Sequence, residues 1–316
     1  MPRVNNIYKF WLFLIFIFNI SVVTFGQGCS DAGVCTVGAA SIQNNKPDAD
    51  SLSEFYYGKI NIQSIIGSGE QLTWHYTQQI DLDIQILKKM TFQLKLPFTF
   101  NFGNLTTTLG IGDIIPSLSC KLYKKKNNIF FATIGLRLPS GKTNQSLGER
   151  PLPMSYQSGI GSLDALLAAG TRISDWTAVI GYQHILRHNN QNGFLQSLWS
   201  DNSKAIKYNN SKNLVRGNDL MARVDRVFAF KKWRFNPGIL FIYRLQKDKY
   251  INEYNQFIST AGSDGLSINL NFAAYIPIDK KSQINIVTGI PTLVRHVRPD
   301  GLTRTAQLSL SYMFLF

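Results

Sequence analysis

The chain has 316 residues, of which 44% are hydrophobic and 16% charged, and its formal net charge is +14. Soluble domains carry roughly 25% charged residues, so this composition points away from an ordinary water-soluble domain. A basic balance can serve nucleic acid, a membrane surface or acidic ligands, but no Lys/Arg run exceeds three residues and no aromatic-basic repeat occurs, so no nucleic-acid partner is expected.

The first element in chain order is an export signal over 1–26. Arg3 and Lys9 precede an apolar run at 10–20, and small residues follow at Thr24 and Gly26. The run is too short for a membrane helix, which needs about 20 apolar residues, so it reads as a cleaved signal peptide ending at Gly26. Lipid anchoring at Cys29 is the alternative, although Gly26-Gln27-Gly28 lacks the Leu-like residue such a signal uses. Export places Cys29 and Cys35 in an oxidising compartment, where a small-loop disulfide between them is expected. Two free thiols in a tail are the simpler alternative. Residues 27–54 form a polar periplasmic segment before the main domain at 55–316.

From there the apolar residues recur at every second position. After a strand near 55–66, Ile80, Leu82, Ile84 and Ile86 alternate with Asp81, Asp83 and Gln85. In 91–102 Phe92, Leu94, Leu96, Phe98, Phe100 and Phe102 alternate with Gln93, Lys95, Thr99 and Asn101. A helix of period 3.6 could not segregate these residues, whereas a strand of period 2 does so directly. Further strands are expected near 112–123, 130–138, 159–173, 176–187, 217–230, 233–246, 264–277, 282–293 and 303–316. The fold class is therefore all-β: an antiparallel, up-and-down transmembrane β-barrel of about twelve strands.

The connections alternate in length. Short ones are expected at 88–89, 124–128, 174–175, 231–232 and 279–281, and long ones at about 67–75, 103–110, 139–158, 188–216, 247–263 and 294–301. Short periplasmic turns opposite long extracellular loops are the layout of an outer-membrane barrel. A soluble sandwich also alternates, but its strands are shorter, with a mode near 5–6 residues, and it has no reason to place Trp176 and Trp233 beside the turns. Lys88, Lys89, Lys124, Lys125, Lys126, Lys231, Lys232, Lys280 and Lys281 fall in the short turns, where they face lipid phosphates or water.

On this parity the polar face lines the lumen. It carries Asp81, Asp83, Lys95, Asp113, Arg137, Asp164, Arg223 and Arg244 as candidate transport residues, and buried charges of both signs tend to pair. Asp113 and Arg137 are expected to face each other on adjacent strands. Arg226, Cys120 and His184 fall on the lipid face.

No motif for chemistry survives scrutiny. "PSGKT" at 139–143 lacks the first glycine of a phosphate loop, because position 136 is Leu136. His184 and His188 are four apart, but with one on a strand and the other in the loop that follows the spacing creates no common face, so no metal site or cofactor is expected. A surface hydrolase would need His184 beside a serine such as Ser162 or Ser197. Nothing in the sequence fixes that geometry, and the chain is not expected to be an enzyme.

Three stretches carry a family resemblance. "LGIGDIIPSLSCKL" (109–122), "FFATIGLRLPSGK" (130–142) and "SGIGSLDALLAAGTRISDW" (158–176) resemble the phenol meta-pathway outer-membrane family, within the wider group of long-chain fatty-acid transporter-like barrels. Gly110, Gly112, Asp113, Arg137, Leu138, Pro139, Ser140, Gly141, Gly159 and Gly161 match its pattern, while Cys120 and "GIGS" depart from it. The resemblance implies an outer-membrane channel or transporter for passive uptake of small, hydrophobic or aromatic solutes. It also implies that residues 27–54 form a hatch in the lumen, with a disordered tail as the alternative. The competing function is a structural or ligand-binding barrel with a filled lumen, whose long loop 188–216 would work through Phe194, Trp199 and Tyr208.

The final strand sets Leu308, Leu310, Tyr312, Phe314 and Phe316 against Gln307, Ser309 and Ser311. Tyr312, Phe314 and the terminal Phe316 resemble the signal by which outer-membrane assembly machinery recognises its clients. The expected partners are therefore that machinery, outer-membrane lipid and a small solute, and the expected location is the outer membrane of a Gram-negative cell.

Overall fold

The computed structural model describes residues 56–125, 128–301 and 306–316. The expected signal segment, the 27–54 segment and the Cys29/Cys35 pair lie outside the described residues. Twelve long strands are present among the described residues. The first six are β1 (Gly58–Ser68), β2 (Trp74–Leu87), β3 (Met90–Phe102), β4 in two pieces (Thr107–Ile111 and Ile115–Lys125), β5 (Asn128–Arg137) and β6 (Ser162–Ile173). The second six are β7 (Trp176–His188), β8 in two pieces (Asp219–Arg226 and Phe228–Phe230), β9 (Trp233–Arg244), β10 (Gly265–Pro277), β11 (Ser282–Leu293) and β12 (Ala306–Leu315).

Each strand pairs antiparallel with the next, and β1 pairs with β12, setting Ile62 opposite Tyr312 and Ile60 opposite Phe314. The sheet thus closes and leaves no unpaired edge, the condition a spanning sheet must meet where no water can satisfy its backbone. At the seam Gly58 N–H donates to the Phe316 carbonyl over 3.1 Å, and Phe316 N–H returns a bond to Gly58 over 3.0 Å.

Side chains follow the period. On β12 Leu308, Leu310, Tyr312 and Phe314 are exposed, while Gln307, Ser309, Ser311 and Met313 are buried. On β3 Phe98, Phe100 and Phe102 point outward, while Gln93, Lys95 and Asn101 are buried within. In water such an outer belt would be a large exposed apolar surface. An apolar belt around a polar, charged interior places the barrel in an outer membrane. Trp176 and Trp233 stand exposed at the starts of β7 and β9. Arg226, on the outer face, lays its guanidinium 5.2 Å from the Trp176 ring and 4.8 Å from the Phe228 ring, a cation–π contact at the short-turn rim.

Two connections differ from expectation. Residues 107–111 are strand rather than loop: Thr107 pairs with Phe102 and Ile111 with Phe98, leaving only 103–106 as the connection. Thr107, Leu109 and Ile111 point out and Thr108 is buried, so the period is present, although glycines flank it. At the 124–128 turn, Lys124 and Lys125 remain in β4, paired with Ile129 and Asn128.

Between its two pieces β4 bulges. Lys95 pairs with Ile115 and Phe98 with Ile111, so 112–114 oppose only Leu96 and Pro97. Pro97 has no N–H for the ladder, and its carbonyl accepts from Gly112 N–H over 2.8 Å. A bulge re-aims the side chain it carries. By alternation from the outward Ile111, Asp113 would face lipid. The bulge brings it inside, where it is 9% exposed.

Candidate functional site: the lumen and its capped mouth

The structure places Asp81, Asp83, Lys95, Asp113, Arg137, Asp164, Arg223 and Arg244 on the inner wall, where all but the half-buried Asp81 are at most 9% exposed. Most meet partners, as buried charge requires. Lys59 Nζ lies 2.8 Å from Asp83, and Arg223 Nε 2.7 Å from Asp225. Asp81 accepts from Asn61 over 3.1 Å and Gln79 over 2.6 Å, with Lys95 opposite it across β2 and β3.

The expected facing of Asp113 and Arg137 is corrected. Arg137 pairs in register with Asp164 on β6, Nη1 to Oδ2 3.5 Å. The bulge turns Asp113 toward the loop 138–161 instead. Its Oδ1 accepts Gly141 N–H over 3.1 Å, and its Oδ2 accepts Ile160 N–H over 2.9 Å. One carboxylate thus holds both arms of that loop against the wall. The arms approach so closely that a Cβ on Gly141 would lie 2.5 Å from the Gly159 Cα, so both positions need glycine. Between loop and wall lies a cavity of about 130 Å³, lined by His75, Thr99, Asn101, Asp113, Arg137 and Ser158 among others.

Above it the loops pack into a small core of their own. Leu152, Tyr156, Phe194, Trp199, Ala205 and Tyr208 are buried together. Their polar tips are tied down: Tyr208 Oη is 2.8 Å from Thr73 Oγ1 and 3.3 Å from Tyr156 Oη, and Trp199 Nε1 donates to the Pro151 carbonyl over 2.8 Å. Asn190 and Asn192 act as internal struts. The Asn192 carboxamide donates to the carbonyls of Thr143 and Leu152 over 3.1 and 2.9 Å, and that of Asn190 to the Ile160 carbonyl over 2.8 Å. Phe194, Trp199 and Tyr208, which the filled-lumen alternative would use for recognition, are therefore core residues of the cap.

A buried ion network ties this cap to the strands. Arg244, at the end of β9, contacts Asp219 over 2.6 Å, Asp248 over 2.6 Å and Asp300 over 3.3 Å. Arg216 reaches Asp219 over 3.4 Å and Asp300 over 3.5 Å, and Arg295 reaches Asp248 over 3.7 Å and Asp300 over 3.5 Å. Three cations thus match three carboxylates, drawn from three loops and two strand ends. Burial, with repulsion from Asp300, pushes the Asp248 carboxyl up against the pull of Arg244. Burial and the neighbouring Arg244 push Arg295 down to about 10.

Beside the network, Glu70 accepts from Asn209 Nδ2 over 2.8 Å, linking the first loop to the fourth. Burial pushes its carboxyl up to about 7, with Arg298 opposing and Asp300 adding to the shift. A carboxyl raised on folding holds its proton where the unfolded chain has released it, so its contribution is full below about 4.5 and is lost as pH climbs to about 7. Proteolysis within 189–218 should accelerate between pH 5 and pH 8, and Glu70→Gln should remove that pH dependence. An unchanged pH profile in the variant would refute the assignment.

Sequence reading missed Arg216, Asp248, Arg295 and Asp300, because no periodicity marks charges in loops, and it missed Asp219 at the first position of β8. The histidine–serine pairing does not form: Ser162 faces the lumen and His184 faces outward, where its ring stacks on Tyr182 at 5.9 Å.

No protein-family model matches the sequence, and no curated protein matches it significantly, so the phenol meta-pathway resemblance remains one of motif. Solved structures do match. The COG4313 outer membrane channel from Pseudomonas putida F1 is 16% identical, with a TM-score of 0.58, and the match covers 83% of this chain and 96% of that one. The NanC porin is 8% identical with a TM-score of 0.47, over 81% of this chain and 98% of its own. The KdgM porin is 10% identical with a TM-score of 0.43, over 82% and 99% respectively. At such identities the likeness is one of fold, and the fold is the closed antiparallel β-barrel of outer-membrane channels.

Proposed function

We propose that this chain is a passive channel for small solutes across the outer membrane, constricted near its outer mouth by the loop 138–161. The observation that carries this reading is Asp113, a wall carboxylate that holds both arms of that loop beside a polar cavity. Asn101 and Thr108 on the wall also hold the loop, donating to the carbonyls of Gln157 and Tyr156 over 3.1 and 2.6 Å, and a loop fixed in this way is suited to restrict a path. Strand number agrees: barrels of about eight strands are filled by side chains and those of sixteen or more leave an aqueous channel, and twelve lies between. The family resemblance favours small hydrophobic or aromatic solutes as cargo. The outward Tyr312, Phe314 and Phe316 are the proposed contact for assembly machinery. The filled-lumen alternative loses support from the burial of Phe194, Trp199 and Tyr208 in the cap.

Protein folded in detergent, identified by different migration of boiled and unboiled samples, should give stepwise conductance in a planar bilayer. A correctly folded barrel that stays silent under all applied voltages would overturn the channel reading.

A further inference from the structure

The apolar belt is not an even surface. On β4, β5 and β6 the outward residues Cys120, Ala132 and Ala169 pair across the sheet in one row. The row toward the loops carries Leu118, Ile134 and Leu167, paired in the same way, and the row toward the short turns carries Tyr123 and Phe130. Three short side chains between two rows of long ones leave a trough. Ile180, beside Ala169 on β7 and 64% exposed, borders it on one side. The result is an outward-facing apolar groove of about 470 Å³, roughly three times the 150 Å³ that suffices to hold benzene.

Membrane depth decides what kind of group can fill it. There the groove meets acyl chains and no water, and an unfilled void would forfeit the dispersion contacts of its lining. Rim charge decides whose chain it is. At the short-turn rim Ile173 lies beside Trp176, and Trp176 beside Arg226. Arg226 is exposed, and its guanidinium lies over the Trp176 and Phe228 rings. A guanidinium stacked on rings keeps its in-plane N–H donors, the fork that grips a phosphate. Exposed Lys125 stands at the same rim, at the end of β4 beyond Cys120. Arg226 and Ala169 are two strands and four rows apart, about 16 Å at ~4.8 Å per strand and ~3.3 Å per residue. One leaflet's chains fill about half of a hydrocarbon core ~30 Å thick, so a chain whose phosphate sits on Arg226 reaches the trough. In the other direction eight residues separate Ile180 from His188 at the outer end of β7, about 26 Å, which is beyond one leaflet.

We propose that this face of the barrel binds one phospholipid of the periplasmic leaflet, its phosphate on Arg226 and one acyl chain in the groove along Ala169, Ala132 and Cys120. Lys125 adds attraction for the phosphate. The chain gains contacts on the floor and on both flanks of the groove, where a chain against an even belt touches one side only. The phosphate gains charge-assisted hydrogen bonds. Such a lipid is held in place while its neighbours exchange. The site requires only that the barrel stands in the outer membrane, so a channel that proves silent leaves it standing.

The probe is dioleoylphosphatidylglycerol, titrated into the detergent-folded barrel and followed by native mass spectrometry. One lipid should bind saturably per barrel. Dioleoylglycerol, which has the same chains and no phosphate, should bind at least roughly tenfold more weakly, since a charge-assisted bond is lost. Lipid A, the phosphorylated glycolipid of the outer leaflet, should also bind more weakly. Arg226→Gln should weaken phosphatidylglycerol binding roughly tenfold for the same reason. Ala132→Leu/Ala169→Leu, which fills the trough, should weaken it at least as much, and the gel shift should persist in both variants. A second readout places the chain. In a barrel carrying Cys29→Ser and Cys35→Ser, phosphatidylglycerol should slow alkylation of Cys120 several-fold, and dioleoylglycerol should not. If the filled variant fails to fold, this protection decides. Absence of saturable one-to-one binding, equal binding of dioleoylglycerol, lipid A binding as tightly, undiminished binding to the folded variants or an unprotected Cys120 would each overturn the proposal. A wild-type dimer that the filled variant loses would overturn it too, by giving the groove to a second copy of the chain.

Discussion

Replacing Asp113 with alanine is expected to raise single-channel conductance and make the open level flicker. The carboxylate accepts Gly141 N–H over 3.1 Å and Ile160 N–H over 2.9 Å, and its loss leaves both donors in a polar cavity without their acceptor. An orphaned donor costs about 1–3 kcal/mol, so the seat of the loop weakens by several kcal/mol at its two ends together. Other bonds survive: Lys142 N–H still donates to Ser158 Oγ over 2.9 Å, and the Lys142 carbonyl still accepts from Ser158 and Gly159 over 3.1 Å each. The two arms therefore stay joined to each other, and Asn101 and Thr108 still hold the Gln157 and Tyr156 carbonyls, so the loop loosens at Gly141 and Ile160 without leaving the wall. Asp113→Asn, which keeps one acceptor oxygen, should fall between. Planar-bilayer recordings test this, and conductance identical to wild type in the alanine variant would show that Asp113 does not hold the constriction.

The second large effect is expected at Arg244. Its guanidinium meets Asp219, Asp248 and Asp300 at once, and the planar fork of donors suits it to that task as lysine is not. Removing one partner of a buried ion pair costs about 3–5 kcal/mol, because the remaining charge is stranded. In Arg244→Ala the three carboxylates lose the cation they share and keep Arg216 and Arg295. The loops at 189–218 and 245–264 should become open to protease at temperatures where the wild type resists, while the strands below stay intact and the gel shift persists. Acidification should lessen the defect, since protonation neutralises the stranded carboxylates, so cleavage should be slower at pH 5 than at pH 8. Cleavage sites mapped by mass spectrometry give the readout. A variant as resistant as wild type would mean that the network does not hold the cap.

The strands were legible because a barrel wall forces one simple pattern on the sequence: lipid outside, polar lumen inside, period 2. β3 is found from that pattern to within a residue and β12 to within three. It changes phase at the bulge at 112–114: Asp113 shares the inner face with Ser117 and Ser119, as alternation along 112–123 gives, whereas 107–111 runs in the opposite phase and does not read as strand. What marks the change of phase is Pro97 on the neighbouring strand. The partners of Asp113 are backbone N–H groups, which any residue except proline supplies, so no side chain at 141 or 160 could announce them. The ion network was hidden for another reason. Arg216 and Asp300 lie 84 positions apart by their numbers and meet at 3.5 Å only because the barrel returns their loops to one rim. The aromatic residues at 194, 199 and 208 were visible but not their surroundings, so exposed recognition and buried packing could not be told apart by type.

The seam between β1 and β12 also bears on how the barrel forms. Every other strand pair joins neighbours in the chain, so its contacts are local and can form as soon as both strands exist. The seam brings together Ile60 and Phe314, the ends of the barrel-forming chain. Contacts of such separation come late, because the chain entropy of closing a long loop must be overcome before the contact rewards it. Until that moment the growing sheet has two open edges, each a template for another chain. The reciprocal bonds of Gly58 and Phe316 therefore belong to the last step of folding, the step that turns an aggregation-prone ribbon into a ring.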